Sequence, residues 1–478
     1  MKIISIMSDE HSGSAIASSG DKYAVTPALD RLASRGVTFT DAYSTCPVCA
    51  PARASYFTGQ YVCRLGTWDN STPYDGTVLG MAEYFGNHGV PFYQIGKTHF
   101  HVDGEYHFAG GEELGLLKVP DLGCYYRDQN VARIGAEKRF EEIGISDGSE
   151  RYDDRVLKST LKWLDSHKDD KSDWILQVGL IEPHFPFSIR QENWDYFESV
   201  FKDVPLDKEM IAPYTSLNSS LNSLRKYFKT DLATEDVIRK IRIGYYAAIK
   251  EMDEKIGMIL DKIEELSLDD EVAVIYTSDH GEQLGYHGLW WKCCMFDQSA
   301  RIPMIVSIPG GRKGEKDSSK VSLVDVFPTF AEAEGLRAPE DIDGESFFSR
   351  MKDSNAAYRD YCFSEFNAHG LAGGMYMIRY GNYKYVFYTE DPPQLFDMVS
   401  DPMENHNLLE EKGEDHDVIK IAAECKKRLL AICNPYEVTE RSLEFQRRMK
   451  KALGLPEKYT IGRGGDFVPH PEYKGRVR

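Results

Sequence analysis

The chain has 478 residues, 42% of them hydrophobic, enough for one large α/β domain and a smaller one, and its 57 basic against 76 acidic side chains give a net charge of -19. That charge argues against nucleic-acid and anionic-membrane partners and against long polyanions, although a cationic pocket in an acidic protein still holds one small anion. Nine cysteines form no short-spaced disulfide framework, no apolar run approaches a membrane span, and the stretch before Met7 is too short for a signal-peptide core. As written, the chain reads as cytoplasmic, or as periplasmic or secreted if a leader has been removed.

Ile3 to Met7 reads as a short buried strand that ends in Ser8-Asp9-Glu10-His11. Adjacent carboxylates at a strand end call for a cation, because like charges at close range resist ionising together, and the carboxyl ends of strands are where open α/β sheets build sites. A solvated turn is the alternative. Thr26 caps a helix that opens on Pro27 and stops at Gly36. A strand over Val37 to Tyr43 then leads through Cys46 to Cys49-Ala50-Pro51-Ala52-Arg53. A helix over Ala52 to Thr58 leaves Cys49 just ahead of free backbone N–H groups, a place that suits a tetrahedral anion. By residue type alone Cys49 reads first as a buried apolar thiol, and Cys46-x-x-Cys49 is half of a zinc site with no second pair at finger-like spacing.

Beyond the loop carrying Trp68-Asp69-Asn70, a helix over Val78 to Phe85 and a strand over Pro91 to Ile95 deliver Gly96-Lys97-Thr98-His99. Lys97 and His99, two apart in extended chain, offer two cationic donors on one side. Residues 104–150 lack periodicity and read as loops over the active face, with Tyr125, Tyr126 and Arg127 as pocket candidates. An amphipathic helix over Tyr152 to His167 and a strand over Trp174 to Leu180 lead to Glu182-Pro183-His184-Phe185-Pro186, whose prolines hold His184 in one orientation. Residues 191–231 read as an insertion. Thr234 caps a long helix to Leu266, which reads as scaffold. A strand over Val272 to Ser278 brings Asp279-His280-Gly281-Glu282 beside Asp9 and Glu10, and hard oxygen donors favour Ca²⁺, Mg²⁺ or Mn²⁺ over zinc. Strands over Tyr361 to Phe366, Met375 to Arg379 and Tyr383 to Tyr388 follow. After a helix near Val418 to Ile432, a charged tail from Val438 serves as an oligomerisation arm or is simply solvated.

Cys49-Ala50-Pro51-Ala52-Arg53 resembles the Cys-x-Pro-x-Arg maturation motif of the type I, formylglycine-dependent sulfatases of the alkaline phosphatase superfamily. The family's other stations follow in order: Thr26 to Gly36, Gly96 to His99, His184-Phe185-Pro186, Ser278 to Lys292, Ala300 to Pro303, Gln394 to Asp397, and Asp401 to Asn405. His280, where many members carry Asn, resembles the choline-sulfatase and phosphonate monoester hydrolase branch. The resemblance implies an α/β fold, a large mixed, mostly parallel sheet sandwiched by helices, as the catalytic domain over 1–355. A smaller C-terminal antiparallel sheet with a helix over 356–437 and a tail over 438–478 complete the expected chain.

The function it implies is hydrolysis of a sulfate monoester, of a sulfated sugar or another small organosulfate. A maturation enzyme would oxidise Cys49 to formylglycine, whose hydrate attacks sulfur with Asp279 as base and whose second hydroxyl expels sulfate. One divalent metal, Ca²⁺ ahead of Mn²⁺ or Mg²⁺, would sit on Asp9, Glu10, Asp279, His280 and the Cys49 position. Lys97, His184 and Lys292 would stabilise the sulfuryl oxygens, and His184 or Lys292 would protonate the leaving oxygen. Arg53 and His99 would hold the hydrate, and Asn70 would contact the ester. Ala52 stands where Ser is common, a position that maturation enzymes read differently. The rival readings are a phosphonate monoester or phosphodiester hydrolase, a choline-sulfatase with Trp68, Tyr125, Tyr126 and Glu365 around the ammonium, and a non-catalytic binding protein if Cys49 stays unmodified.

Overall fold

The structure, a computed structural model, describes residues 1–117, 122–129, 132–133, 135–206 and 217–455. Its main sheet is built from β1 (Lys2–Asp9), β2 (Val37–Tyr43), β3 (Phe92–Gly96), β4 (Gly110–Glu112), β6 (Ile175–Pro183), β8 (Val272–Ser278), β9 (Met304–Ser307) and β10 (Glu315–Ser322), while β5 (Ile143–Ile145) and β7 (Phe187–Ile189) pair separately. The eight strands lie in the order β10-β2-β9-β8-β1-β6-β3-β4, parallel throughout except for β9, which runs antiparallel to both neighbours. The large mixed, mostly parallel sheet expected for the fold class is therefore present.

The two faces of the sheet can be read from strand alternation. On β1, Ile4 and Ile6 belong to one apolar core, Ile3 and Met7 to the other, and all eight residues are buried. A strand covered on both faces reads as a continuous apolar run for this reason. The first core is completed by the helices Pro27–Arg35, Tyr152–His167 and Glu235–Glu265, the second by Cys49–Thr58, Met81–Asn87 and Val326–Ala333. Asp9 continues the Ile3, Met7 face, so it points toward the Cys49–Thr58 helix. On β8, Ala273 and Ile275 lie on that same face, and the next positions in step are Thr277 and Asp279. With Ser8 opposite Ser278 in register, the two aspartates emerge side by side.

The reading of residues 104–150 as loops needs correction, and the insertion expected over 191–231 is itself helical. Residues 191–231 contain two helices, Gln191–Phe201 and Ser219–Phe228, which bury Trp194, Phe197, Leu221 and Leu224 in the first core. The 104–150 region supplies β4 to the sheet edge and β5 to β7. Its irregular spacing hid strands of three residues each, too short for any period to register.

Past residue 355, β11 (Tyr361–Phe366), β12 (Met375–Tyr380), β13 (Tyr383–Tyr388) and β14 (Gln394–Asp397) form an antiparallel meander, with the helix His416–Ile432 packed on β12 and β13. Its core is continuous with that of the large sheet. A fully buried Lys384 ties it to the catalytic side, donating to Asp297, to Glu404 Oε1 at 2.8 Å and to Met295 O at 3.0 Å. The charged tail expected from Val438 begins instead as a helix, Pro435–Ala452, that buries Val438, Ser442, Gln446 and Met449. Arg127 Nη1 donates to Ser442 Oγ at 2.5 Å and Gln446 Nε2 to Cys124 O at 3.1 Å, so this helix is stapled to the 122–129 segment. Residues 456–478, including the Gly462 to Gly465 stretch, lie outside the described residues. Among the described residues no helix is long and apolar enough to cross a membrane.

Candidate active site

Strand ends and one helix start converge on Cys49. The helix begins at Cys49 itself, three residues earlier than its pattern suggests, because Pro51 falls in the first turn, where a missing N–H leaves no intrahelical bond unmade. Ala50 N–H is capped by Asn70 Oδ1 at 3.1 Å, so the Asn70 carbonyl serves the helix start. Lys97 is carried inward because β3 and β6 close on each other through glycines. A Cβ on Gly179 would lie 2.2 Å from Lys97 O, and one on Gly96 would lie 2.1 Å from Gly179 O.

Around the sulfur, His280 Nε2 lies at 3.2 Å, Lys292 Nζ at 3.3 Å and Asp9 Oδ1 at 3.7 Å. Asp9 Oδ2 receives Lys97 Nζ at 2.5 Å and Arg53 Nη2 at 3.2 Å. Asp279 Oδ2 receives Arg53 Nε at 2.8 Å, and its Oδ1 accepts the N–H groups of His280 at 2.9 Å and Glu10 at 3.2 Å. Glu10 Oε2 sits 3.1 Å from both Lys292 Nζ and His184 Nε2, and these two nitrogens are 2.8 Å apart. The His184 Nδ1–H donates to Phe185 O, which turns Nε2 toward the cluster.

Charge balance explains the protonation states. Burial alone would raise the Cys49 thiol, but Lys292, Lys97 and His280 outweigh it and hold it well below the usual thiol range. Burial likewise opposes ionisation of Asp9, yet Lys97, His184 and Arg53 keep it well below the ordinary carboxylate range. Asp279 is pushed up to about 6 by burial and by the Asp9 charge, and His280, despite its burial, is raised to about 9 by Asp279. His99 is lowered to about 4 by burial and by Lys97, and hydrogen-bonds to the Cys49 side chain. Glu282 is pushed well above its ordinary value by burial and by Glu10.

The structure thus brings Asp9, Glu10, Cys49, Arg53, Lys97, His99, His184, Asp279, His280 and Lys292 together. The potential metal ligands form two overlapping groups, Asp9, Cys49, Asp279 and His280 in one, Asp9, Glu10 and His184 in the other. Three sequence assignments shift. Arg53, expected to grip the nucleophile, spends its guanidinium on Asp279, Asp9, Lys97 O and Ser8 O, and so braces the carboxylates. The ammonium cage is not built: Trp68, Tyr125, Tyr126 and Glu365 are buried core residues, Tyr125 OH donating to Ser71 O and Glu365 accepting the Cys63 N–H. Arg127, a pocket candidate, is likewise buried, and bonds to backbone carbonyls at Leu371 and Asn367.

Three supporting residues escaped the sequence reading. Asp153 accepts the N–H groups of Ile181 and Glu182 at 2.8 Å, fixing the strand end that leads to His184. Tyr245, on the helix read as scaffold, donates its hydroxyl to Glu10 O at 3.0 Å, and Ser44 Oγ donates to Asp279 O at 2.5 Å. A polar residue on an apolar stripe is the signal that Tyr245 offered.

Comparison with known proteins agrees with this geometry. The sulfatase family model matches residues 2–336, and a second model, the C-terminal region of N-sulphoglucosamine sulphohydrolase, matches residues 285–434. A choline-sulfatase of Rhizobium meliloti (strain 1021) is 30% identical over 430 residues, covering 85% of this chain and 82% of the relative. Arylsulfatase K of Canis lupus familiaris is 27% identical over 428 residues, covering 85% and 78%. The crystal structure of a phosphonate monoester hydrolase of Agrobacterium radiobacter superimposes with a TM-score of 0.70 at 22% identity, covering 90% of this chain and 95% of that one. The chain belongs to the sulfatase family, on an alkaline-phosphatase-like fold. It is a sulfuric ester hydrolase, and the family implies a divalent-metal site.

Proposed function

We propose that Cys49 is the residue a maturation enzyme converts to formylglycine, and that the mature site hydrolyses the sulfate monoester of a sugar or other small alcohol. The observation that carries this reading is the position of Cys49 Sγ, inside one cluster with two aspartates, His280 and Lys292. The residues fit a bound cation. Three carboxylates, from Asp9, Glu10 and Asp279, are buried within one cluster beside the His280 imidazole. His280 Nδ1 is tied to Gly281 O at 3.0 Å, which aims Nε2 at the aspartates. Asp9, Asp279 and His280, with Glu10 alongside, would hold one ion, and the oxygen-rich set favours Ca²⁺ over Mn²⁺ or Mg²⁺. When bound, such an ion would supply Lewis acidity for the sulfate ester, and a formylglycine hydrate at position 49 would supply two hydroxyls on one carbon, one for attack on sulfur and one for release of sulfate.

The chain's own residues do the rest. Lys97 and Lys292 set two ammonium groups toward the sulfuryl oxygens, where they stabilise the developing charge. Asp279, at about 6, is ionised near neutrality and basic enough to take a proton at Oδ1, while Arg53 holds its Oδ2 still. His184 or Lys292, whose Nε2 and Nζ are 2.8 Å apart, gives the proton to the leaving oxygen. His99, neutral at working pH, orients residue 49 through its hydrogen bond.

The test is turnover of 4-nitrophenyl sulfate by protein made together with a formylglycine-generating enzyme. Activity that vanishes in Cys49→Ala is the expected result, and undiminished turnover by Cys49→Ala would overturn the reading.

A further inference from the structure

Glu282 is buried, 1% exposed, and no step of the reaction uses it. Its main chain is fixed from behind: Gly281 N–H donates to Ser299 O at 2.7 Å, and a Cβ on Gly281 would lie 2.1 Å from Gln298 O. From there the carboxyl closes the neck of the loop that leads to Lys292. Glu282 Oε1 accepts the N–H of Leu284 at 2.7 Å and that of Trp291 at 2.9 Å, and Gln283 N–H donates to Trp291 O at 2.6 Å. Leu284 and Trp291, with φ of 50° and 68°, are both left-handed, a conformation that non-glycine residues keep only where their surroundings enforce it. On the far side of Lys292, Cys293 is left-handed too, with φ of 78°, and donates its N–H to Pro47 O at 3.2 Å. Lys292 is thus held from both sides, by Glu282 through Trp291 and by the segment that leads to Cys49. Glu282 also shares a side-chain hydrogen bond with Glu10, whose Oε2 lies 3.1 Å from Lys292 Nζ. The contacts from Glu282 to Trp291, Lys292, Glu10 and back to Glu282 form a closed ring.

We propose that Glu282 is a positioning residue of this enzyme, setting where Lys292 Nζ stands by holding the Trp291 N–H on one side and Glu10 on the other. This rests on the sulfatase reading, in which Lys292 acts on the sulfuryl and leaving oxygens, and adds to it a residue that works through Lys292 without touching the substrate. A lysine ammonium on a flexible four-carbon stem does not keep one place by itself. Lys292 Nζ keeps its place, 3.3 Å from Cys49 Sγ, because the backbone that directs the stem and the carboxylate that receives the ammonium are both tied to Glu282. The position asks for one acceptor shared by two N–H groups and a second polar atom for Glu10. A glutamine offers both, its carbonyl to the N–H groups and its amide to the carboxylate, whereas an alanine offers neither.

The test is a double-mutant cycle on the matured, metal-loaded enzyme with 4-nitrophenyl sulfate, using Glu282→Ala, Glu282→Gln, Lys292→Ala and the double variant Glu282→Ala/Lys292→Ala. In Glu282→Ala kcat is expected to fall about 100-fold while KM moves less than about threefold, the signature of a displaced catalytic group. Glu282→Gln should recover kcat to within about fivefold of the wild type, since it keeps both sets of hydrogen bonds. The double variant should be no more than about threefold slower than Lys292→Ala, because without the ammonium there is no position left to set. A purely structural role would instead multiply the two single losses. If Glu282→Ala does not fold, Glu282→Asp, one methylene short of the Trp291 N–H, takes its place in the cycle under the same criteria. A kcat in the alanine or aspartate variant within about threefold of the wild type, a glutamine variant as slow as the alanine one, or losses that multiply in the double variant would overturn the positioning role while leaving the sulfatase reading intact. A wild-type enzyme that hydrolyses no sulfate ester contradicts the sulfatase reading itself, and the positioning role with it.

Discussion

At the scale of the residue, the site is a problem in burying charge. Asp9, Glu10 and Asp279 would be untenable in the interior without Arg53, Lys97 and Lys292, since a lone buried charge costs several kcal/mol and only close pairing offsets it. Arg53 shows how pairing displaces an expected role: flanked by two aspartates, its fork is filled before a ligand arrives. A different buried group reports on stability. His287, 1% exposed and stacked on Phe296 at 4.0 Å, is lowered to about 4 by its burial. Its folded pKa lies below the unfolded value, so the unfolded chain takes the proton first. The stabilisation is whole above about pH 6.5 and is lost as the pH falls toward 4. His287→Phe removes this dependence. The difference in unfolding free energy between wild type and variant, from urea titrations, should therefore move against the wild type by about 2 kcal/mol between pH 7 and pH 5. A difference that stays constant with pH would show that His287 is not held neutral.

At the scale of the element, much of the site was legible. Short apolar runs bounded by charge located β1 and β8 and the chemistry at their ends, whereas the common face of Asp9 and Asp279 is fixed by the register of β1 on β8. The start of the Cys49 helix was misplaced because Pro51 reads as a breaker unless its first-turn position is known. Asp153 was not legible as a supporting residue, because its contacts lie far along the chain and follow no period. The approach of β3 to β6 was also hidden, although it sets the position of Lys97. Gly179→Ala should force the two strands apart, with a loss of stability above about 2 kcal/mol and a fall in kcat/KM, because the added carbon meets backbone rather than a movable side chain. Gly86→Ala is the control, a helical glycine with open space around its Cβ position, and should be neutral or stabilising by up to about 1 kcal/mol. Equal effects of the two substitutions in thermal melts and turnover would refute the packing account.

At the scale of the molecule, the acidic balance and the cationic site divide the work. A net charge of -19 sits on a chain whose centre gathers Arg53, Lys97 and Lys292. The ion that the family implies couples this centre to the stability of the whole, because ligand that binds only the folded state stabilises it by mass action. A chelator should lower the melting temperature and abolish turnover, and added Ca²⁺ should restore both, the temperature rising with the logarithm of its concentration. A melting temperature indifferent to chelator and to Ca²⁺ would remove the ion from the site. Three strands of the C-terminal sheet were readable, but the Pro435–Ala452 helix was not, since its charged surface masked the six buried positions that dock it.

The most direct test is the mass of the proteolytic peptide containing Cys49, taken from the same preparation whose turnover of a sulfate ester is measured. The account predicts a peptide lighter by the difference between a thiol and an aldehyde, reactive toward carbonyl reagents, in proportion to activity across preparations. Full turnover from protein whose Cys49 is wholly unconverted would contradict it.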